Sequence, residues 1–111
     1  MGPVIGEERL ARLLREFRHG LLELYGVRLK GLFLYGSYAR RQESPGSDID
    51  VVVVLDDFAS YGAEIDRTSE LAARLSLQYG ISISRVFIPE ETWQSGRTVF
   101  LANVREEAVP V

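Results

Sequence analysis

Residues 36–55 read GSYARRQESPGSDIDVVVVL. The closing run Val51–Leu55 is unbroken aliphatic, as in a strand buried on both faces, yet Asp48 and Asp50 stand at its entrance and a glycine–serine turn lies just upstream. Side chains alternate along a strand, so both aspartates are expected on one side, about 7 Å apart along the chain. Two carboxylates that close repel each other. Alone, one of them has its pKa pushed up; a divalent cation removes the penalty and favours both ionised. Magnesium suits the pair, because it takes one or two carboxylates, several waters and the oxygens of a substrate phosphate.

Gly36 and Ser37 are the complementary half. A glycine turn lets backbone N–H groups approach an anion closely, the Ser37 hydroxyl can donate as well, and a helical turn starting near Tyr38 would add the positive end of its dipole. Phosphate at the turn and metal at the aspartates would meet on one triphosphate if the strands flanking the turn are neighbours, which their short connection favours. The plainer alternative is that Gly36 only turns the chain and that Asp48 and Asp50 are solvated residues at a strand mouth. Two half-sites at a working separation favour the functional reading. Arg40 and Arg41 stay open between phosphate contact and exposed surface. Neither a P-loop sequence nor a dinucleotide-binding glycine fingerprint is present.

Outward from this stretch, Leu10, Leu13, Leu14, Phe17, Leu21 and Leu24 recur at steps of three and four, predicting a helix over 7–25 that Gly26 stops. His19 falls on its solvated side and is expected at the surface. Leu32–Tyr35 reads as a buried strand running into the Gly36 turn, and Asp48–Leu55 as the second strand, ended by Asp56-Asp57. A helix is predicted over 63–79 with Gly80 as its stop, then a strand over 81–88. Pro89 to Trp93 reads as a first helical turn with acids at its start. Phe100, Leu101 and Val104 suggest a last short helix that Pro110 ends. The order helix, strand, strand, helix, strand, helix describes one α/β unit.

Composition narrows the classes. The 111 residues make a single domain, 1–111, too short for a second substrate-holding domain. A formal net charge of -3 supplies no basic footprint, so nucleic acid is not the expected partner, although Arg40, Arg41 and Arg85 lie near the informative stretches. The absence of cysteine removes disulfides, thiolate nucleophiles and cysteine zinc sites. No apolar run reaches the length of a membrane span, and charges stand where a signal peptide would be apolar; the expected compartment is the cytoplasm.

Gly36-Ser37-Tyr38-Ala39-Arg40 followed by Ser47-Asp48-Ile49-Asp50 resembles the signature of the nucleotidyltransferases of the polymerase-beta-like superfamily, and the chain is similar in size to that superfamily's minimal members. The segment Phe100-Leu101-x-Asn103-Val104 also looks like theirs. The resemblance implies the nucleotidyltransferase fold, an α/β (α+β) arrangement with a small mixed sheet of three or more strands and helices packed on it. It implies Mg²⁺-dependent transfer of a nucleoside monophosphate from a triphosphate, with ATP expected, to an acceptor hydroxyl. Asp48 and Asp50 would be the catalytic carboxylates holding one or two metal ions, and Gly36, Ser37, Arg40 and Ser47 the nucleotide-binding residues. Arg41 stands where the family usually has glycine. The family's third carboxylate, which completes the metal site and takes the acceptor's proton, aligns with Ser82, with Ser84 next on that face, and neither can serve as an anionic ligand. Asp56, Asp57, Glu90 and Glu91 near strand ends are acids that could substitute, as could a partner chain.

Two readings follow. Minimal nucleotidyltransferases are often encoded with a small helical partner of the HEPN family, and some such pairs behave as toxin and antitoxin. The chain would then be an enzyme whose acceptor includes that partner, or a catalytically weak or inactive antitoxin-like protein acting by complex formation. Association is also expected from the residues themselves. The second strand is apolar on both faces, two long helices can cover one, and the C-terminal segment with Trp93, Phe100, Leu101 and Val104 is the only candidate in the chain for the other; some of its apolar groups would then need a cover of their own, which predicts a homodimer or a complex with a helical partner through the C-terminal third.

Overall fold

The computed structural model describes residues 4–111. Helix α1, Glu7–Tyr25, ends where the periodicity predicts, with Gly26 at φ 56° returning its N–H to the Leu22 carbonyl. A 3-10 turn leads into strand β1, Leu29–Tyr35, and the chain turns through the short helix α2, Gly36–Ala39, into β2, Ile49–Leu55. Helix α3 spans Tyr61–Tyr79; its cap is Ser60, whose hydroxyl accepts from the Ala63 N–H at 3.2 Å. Strand β3, Ile83–Pro89, follows, then α4, Glu90–Ser95, α5, Val99–Glu107, and β4, Val109–Pro110.

The sheet is mixed, in the order β3-β2-β1-β4. The short 36–48 connection makes β1 and β2 antiparallel neighbours, and α3 carries the chain across so that β3 lies parallel to β2. Strand β4 corrects the expectation that Pro110 merely ends a helix. Helix α5 stops at Glu107, and Val109 and Pro110 pair with Leu34 and Phe33. Proline is tolerated there because β4 is an edge strand, where a missing N–H takes no ladder bond away.

Alternation along β2 builds two cores. Ile49, Val51, Val53 and Leu55 pack with Leu13, Phe17 and Leu21 of α1 and Leu75 of α3. Val52 and Val54 face the other way, against Ile88, Leu101 and Val104, with Phe33 and Trp93 beside them. The C-terminal helices therefore cover the second face, as the apolar pattern of β2 demands.

Helices α1 and α3 are tied by a buried carboxylate. Glu64 accepts from the Tyr25 hydroxyl at 2.6 Å and from Arg67 Nε at 3.1 Å, so its charge is both paired and hydrogen-bonded. Arg85 is a second tie: from β3 it donates through Nε to Thr68 Oγ1 at 2.7 Å and through Nη2 to the Ile65 carbonyl at 2.9 Å on α3. It thus serves α3 packing on the face of the sheet away from Asp50. His19 is exposed and pairs with Glu23, as its helical position predicts. Among the described residues no helix is long and apolar enough to cross a membrane.

Candidate active site

Strand β1 delivers Tyr35 and then Gly36 to the end of the sheet where β2 begins. Tyr35 is in register with Asp50, so the glycine turn and the aspartate meet across one strand pair. Gly36 has φ 76°, in the left-handed region that excludes most side chains, and a Cβ placed on it would collide with Asp50 Oδ2, with Asp50 Cγ only 3.2 Å away. Glycine at 36 is therefore required twice over, by the backbone angle and by the carboxylate pressed against it. The helical turn starts at Gly36 rather than near Tyr38, which brings its first N–H groups closer to that carboxylate than the sequence reading had them.

Asp50 is half-buried, as the second residue of β2, while Asp48 is exposed one residue before the strand starts. Burial pushes the Asp50 carboxyl above the ordinary carboxylate range, the Asp48 charge pushes it further, and Arg40 opposes both. The donor set suits a single hard divalent ion that fills the rest of its shell with water and phosphate oxygens. Among the described residues no group of three or more His, Cys, Asp or Glu side chains is assembled to hold a metal.

The register of β3 explains the shortfall. Asp50 lies beside Ser84, and the Ile49 N–H donates to the Ser82 carbonyl at 2.9 Å, so Ser84 is the neighbour of Asp50 and Ser82 sits one step toward Asp48. Both serines are exposed. The four acids weighed as substitutes lie elsewhere. Asp56 follows the far end of β2, about 20 Å along the strand from Asp50, and is held by Arg28 at 3.1 Å. Asp57 is next to it. Glu90 and Glu91 follow Pro89, the partner of Leu55 at that same far end. None of the four stands at the mouth of β2.

The remaining predicted residues surround the turn. Ser37 is half-buried in α2, and its carbonyl accepts from the Gln42 N–H at 2.9 Å, closing the loop that leaves the helix. Arg40 reaches Glu107 at the end of α5 with Nη1 at 3.0 Å and Gln42 with Nε at 3.3 Å, so it joins the turn to the C-terminal helix while its charge still bears on Asp50. Ser47 accepts from the Ser44 N–H at 3.0 Å through its hydroxyl and shapes the loop that presents Asp48. Arg41 has φ 56°, and among the described residues it alone of the non-glycines has positive φ. Its side chain points to the exposed Glu7, 3.5 Å away.

Sequence reasoning passed over Tyr35 and Phe100, which meet beside Asp50. Tyr35 lies on the Asp50 face, where burial and the Asp50 charge both push its phenol up, and its ring stands edge-on to Phe100 at 6.4 Å between centroids and 88° between planes. The signal was legible only as an aromatic residue next to the glycine turn.

Comparison with known proteins places this geometry in context. The family model described as "Nucleotidyltransferase domain" matches residues 14–106. Two proteins of Methanocaldococcus jannaschii are similar. "Putative protein adenylyltransferase MJ0604" is 33% identical over 97 residues, covering 86% of this chain and 91% of that protein. "Putative protein adenylyltransferase MJ0141" is 26% identical over 102 residues, covering 92% and 98%. Among solved structures, a toxin–antitoxin crystallised with AMP-PNP superposes with a TM-score of 0.60 at 23% identity, over 96% of this chain and 72% of that one, a likeness of fold.

Proposed function

The chain belongs to the nucleotidyltransferase domain family and is a transferase of nucleoside monophosphates, and from that premise we propose that it binds Mg²⁺-ATP at the mouth of β2 and adenylylates a hydroxyl on a protein. The observation that supports this reading is the contact of Gly36 with Asp50, because it sets a backbone turn able to bind phosphate directly against a carboxylate able to hold a metal. Asp48 and Asp50 would hold the ion, which would offset their mutual repulsion and draw charge from the triphosphate oxygens. The N–H groups at the start of α2 and the Ser37 hydroxyl grip phosphate, with Arg40 adding a positive charge at the same turn. In the reaction class the acceptor oxygen bonds to the α-phosphorus as the bond to the bridging oxygen breaks, and pyrophosphate leaves with that electron pair.

A protein acceptor is supported by the two archaeal relatives, both described as putative protein adenylyltransferases. A toxin–antitoxin neighbour supports a partner protein, which we take to be a small helical protein of the HEPN type. The test is incubation of the chain with labelled ATP, Mg²⁺ and the protein encoded beside it. Label on that protein, lost with Asp50→Asn, is the expected result; label on nothing, in the presence of a stable complex, leaves contact alone as the mode of action. A specific observation favours that second reading: with Ser84 beside Asp50, the described residues bring no third carboxylate to take the acceptor's proton.

A further inference from the structure

We propose that the half-exposed ring of Phe100, perpendicular to Tyr35, is the platform on which the nucleobase of the bound triphosphate stacks. The proposal rests on the nucleotide-binding reading of the Gly36–Asp50 mouth and adds the subsite that distinguishes a nucleoside from bare polyphosphate. Tyr35 is the residue immediately before the Gly36 turn and the register partner of Asp50, so it flanks the turn to which the phosphate is assigned. Beyond its ring, Phe100 is 50% exposed, unusual for an aromatic in the first turn of a helix whose neighbours Leu101 and Val104 are buried. Those two anchors and the Thr98 cap, which accepts from the Leu101 N–H at 3.1 Å, fix the helical turn that carries the ring.

The edge-on geometry matters. The other aromatic pair on this face of the sheet, Phe33 and Trp93, is stacked at 4.7 Å and 29°, so each ring covers the other. Phe100 meets Tyr35 at 88° instead, so the two rings do not stack face to face, and Phe100 is half-exposed. Leu77 and Val27 are still more exposed, at 86% and 89%, but they sit on α3 and on the turn before β1 and offer no aromatic surface. Stacking on an aromatic ring tolerates any base, because every base has a π-face. The platform should therefore favour nucleoside triphosphates over inorganic tripolyphosphate without choosing strongly among bases.

Calorimetry with Mg²⁺-ATP and with Mg²⁺-tripolyphosphate, on the parent chain and on Phe100→Ala, Phe100→Leu and Phe100→Tyr, tests the idea. In the parent, ATP should bind more tightly than tripolyphosphate. Phe100→Ala and Phe100→Leu should weaken ATP about 5- to 150-fold, the range of one lost base stack, and leave tripolyphosphate unchanged, while Phe100→Tyr keeps ATP affinity. Equal weakening of both ligands would mean that Phe100 only supports the fold of the site, and unchanged ATP affinity, with or without loss of self-association, would give the ring to an interface instead; either result overturns the platform. A parent that binds tripolyphosphate as tightly as ATP overturns the platform alone. A parent that binds neither overturns the platform together with the nucleotide-binding reading.

Discussion

Asp50 carries an electrostatic cost that its own fold imposes. Its carboxyl is raised by burial first and by Asp48 second, so the folded protein holds that proton to higher pH than the unfolded chain does. Stability from this group is therefore lost as pH rises from the ordinary carboxylate value of 3.8 through the raised folded value, and it is not regained above it. Asp50→Asn removes the charge and keeps the shape. It should raise the melting temperature of the metal-free chain at neutral pH and flatten that acid-side slope, while abolishing Mg²⁺-dependent ATP binding; Asp48→Asn should abolish the binding with less effect on melting, because Asp48 is exposed. Melting curves across pH and calorimetry check both halves, and a lower melting temperature for Asp50→Asn would contradict the assigned cost. On the proposed phosphate contact, Ser37→Ala removes a donor to an ionised oxygen and should weaken triphosphate binding by about 1 to 3 kcal/mol; equal affinity would leave that grip to the backbone N–H groups. Arg41 shows how a residue can fit a turn poorly without breaking it. Its left-handed backbone costs about 1 to 2 kcal/mol relative to a residue free of a Cβ clash, and its contact with Glu7, exposed at both ends, returns little of that.

At the level of elements, the register between β2 and β3 decides what the site lacks. Parallel neighbours on one face lie about 4.8 Å apart, and the residue beside Asp50 is Ser84. Ser84→Asp should therefore complete the carboxylate set and raise both metal affinity and the rate of nucleotidyl transfer, whereas Ser82→Asp, displaced one step toward Asp48, should do less. Steady-state transfer rates and metal titrations compare the two variants. A gain from Ser82→Asp alone would show that the acid is needed nearer the mouth of the strand. Register is hard to read from this sequence because Ile-Ser-Ile-Ser fits a one-pair slide in either direction on its own. What pins it is tertiary: Arg85 must reach Thr68 and Ile65 on α3, and Ile83 and Phe87 must enter the core beneath that helix. The element boundaries that were legible, Glu7–Tyr25 and the end of α3 at Tyr79, are those closed by Gly26 and Gly80. The element that was not, β4, has only two residues and exists because β1 offers it an unpaired edge.

On the scale of the whole molecule, both faces of the sheet are covered from within, by α1 with α3 and by α4 with α5, so the chain closes its own core. Any association therefore uses the surface, where Val99 on α5 is 80% exposed. A complex with a helical partner through this C-terminal surface is the expected outcome, with a homodimer in its absence. Light scattering at micromolar concentration, alone and with the protein encoded beside it, measures this, and a monomer that ignores that protein would show these apolar groups to be idle. By itself the sequence determined the two-faced burial of β2, the glycine turn and the paired aspartates, because these depend on local periodicity and on residue types that few other structures require. Only the tertiary structure decided that Gly36 lies against Asp50, that Arg85 serves α3, that Asp56, Asp57, Glu90 and Glu91 stand at the wrong end of the sheet, and that Tyr35 and Phe100 meet. Each of these joins residues far apart in the chain, and their meeting is set by strand pairing and helix packing, which no local pattern encodes.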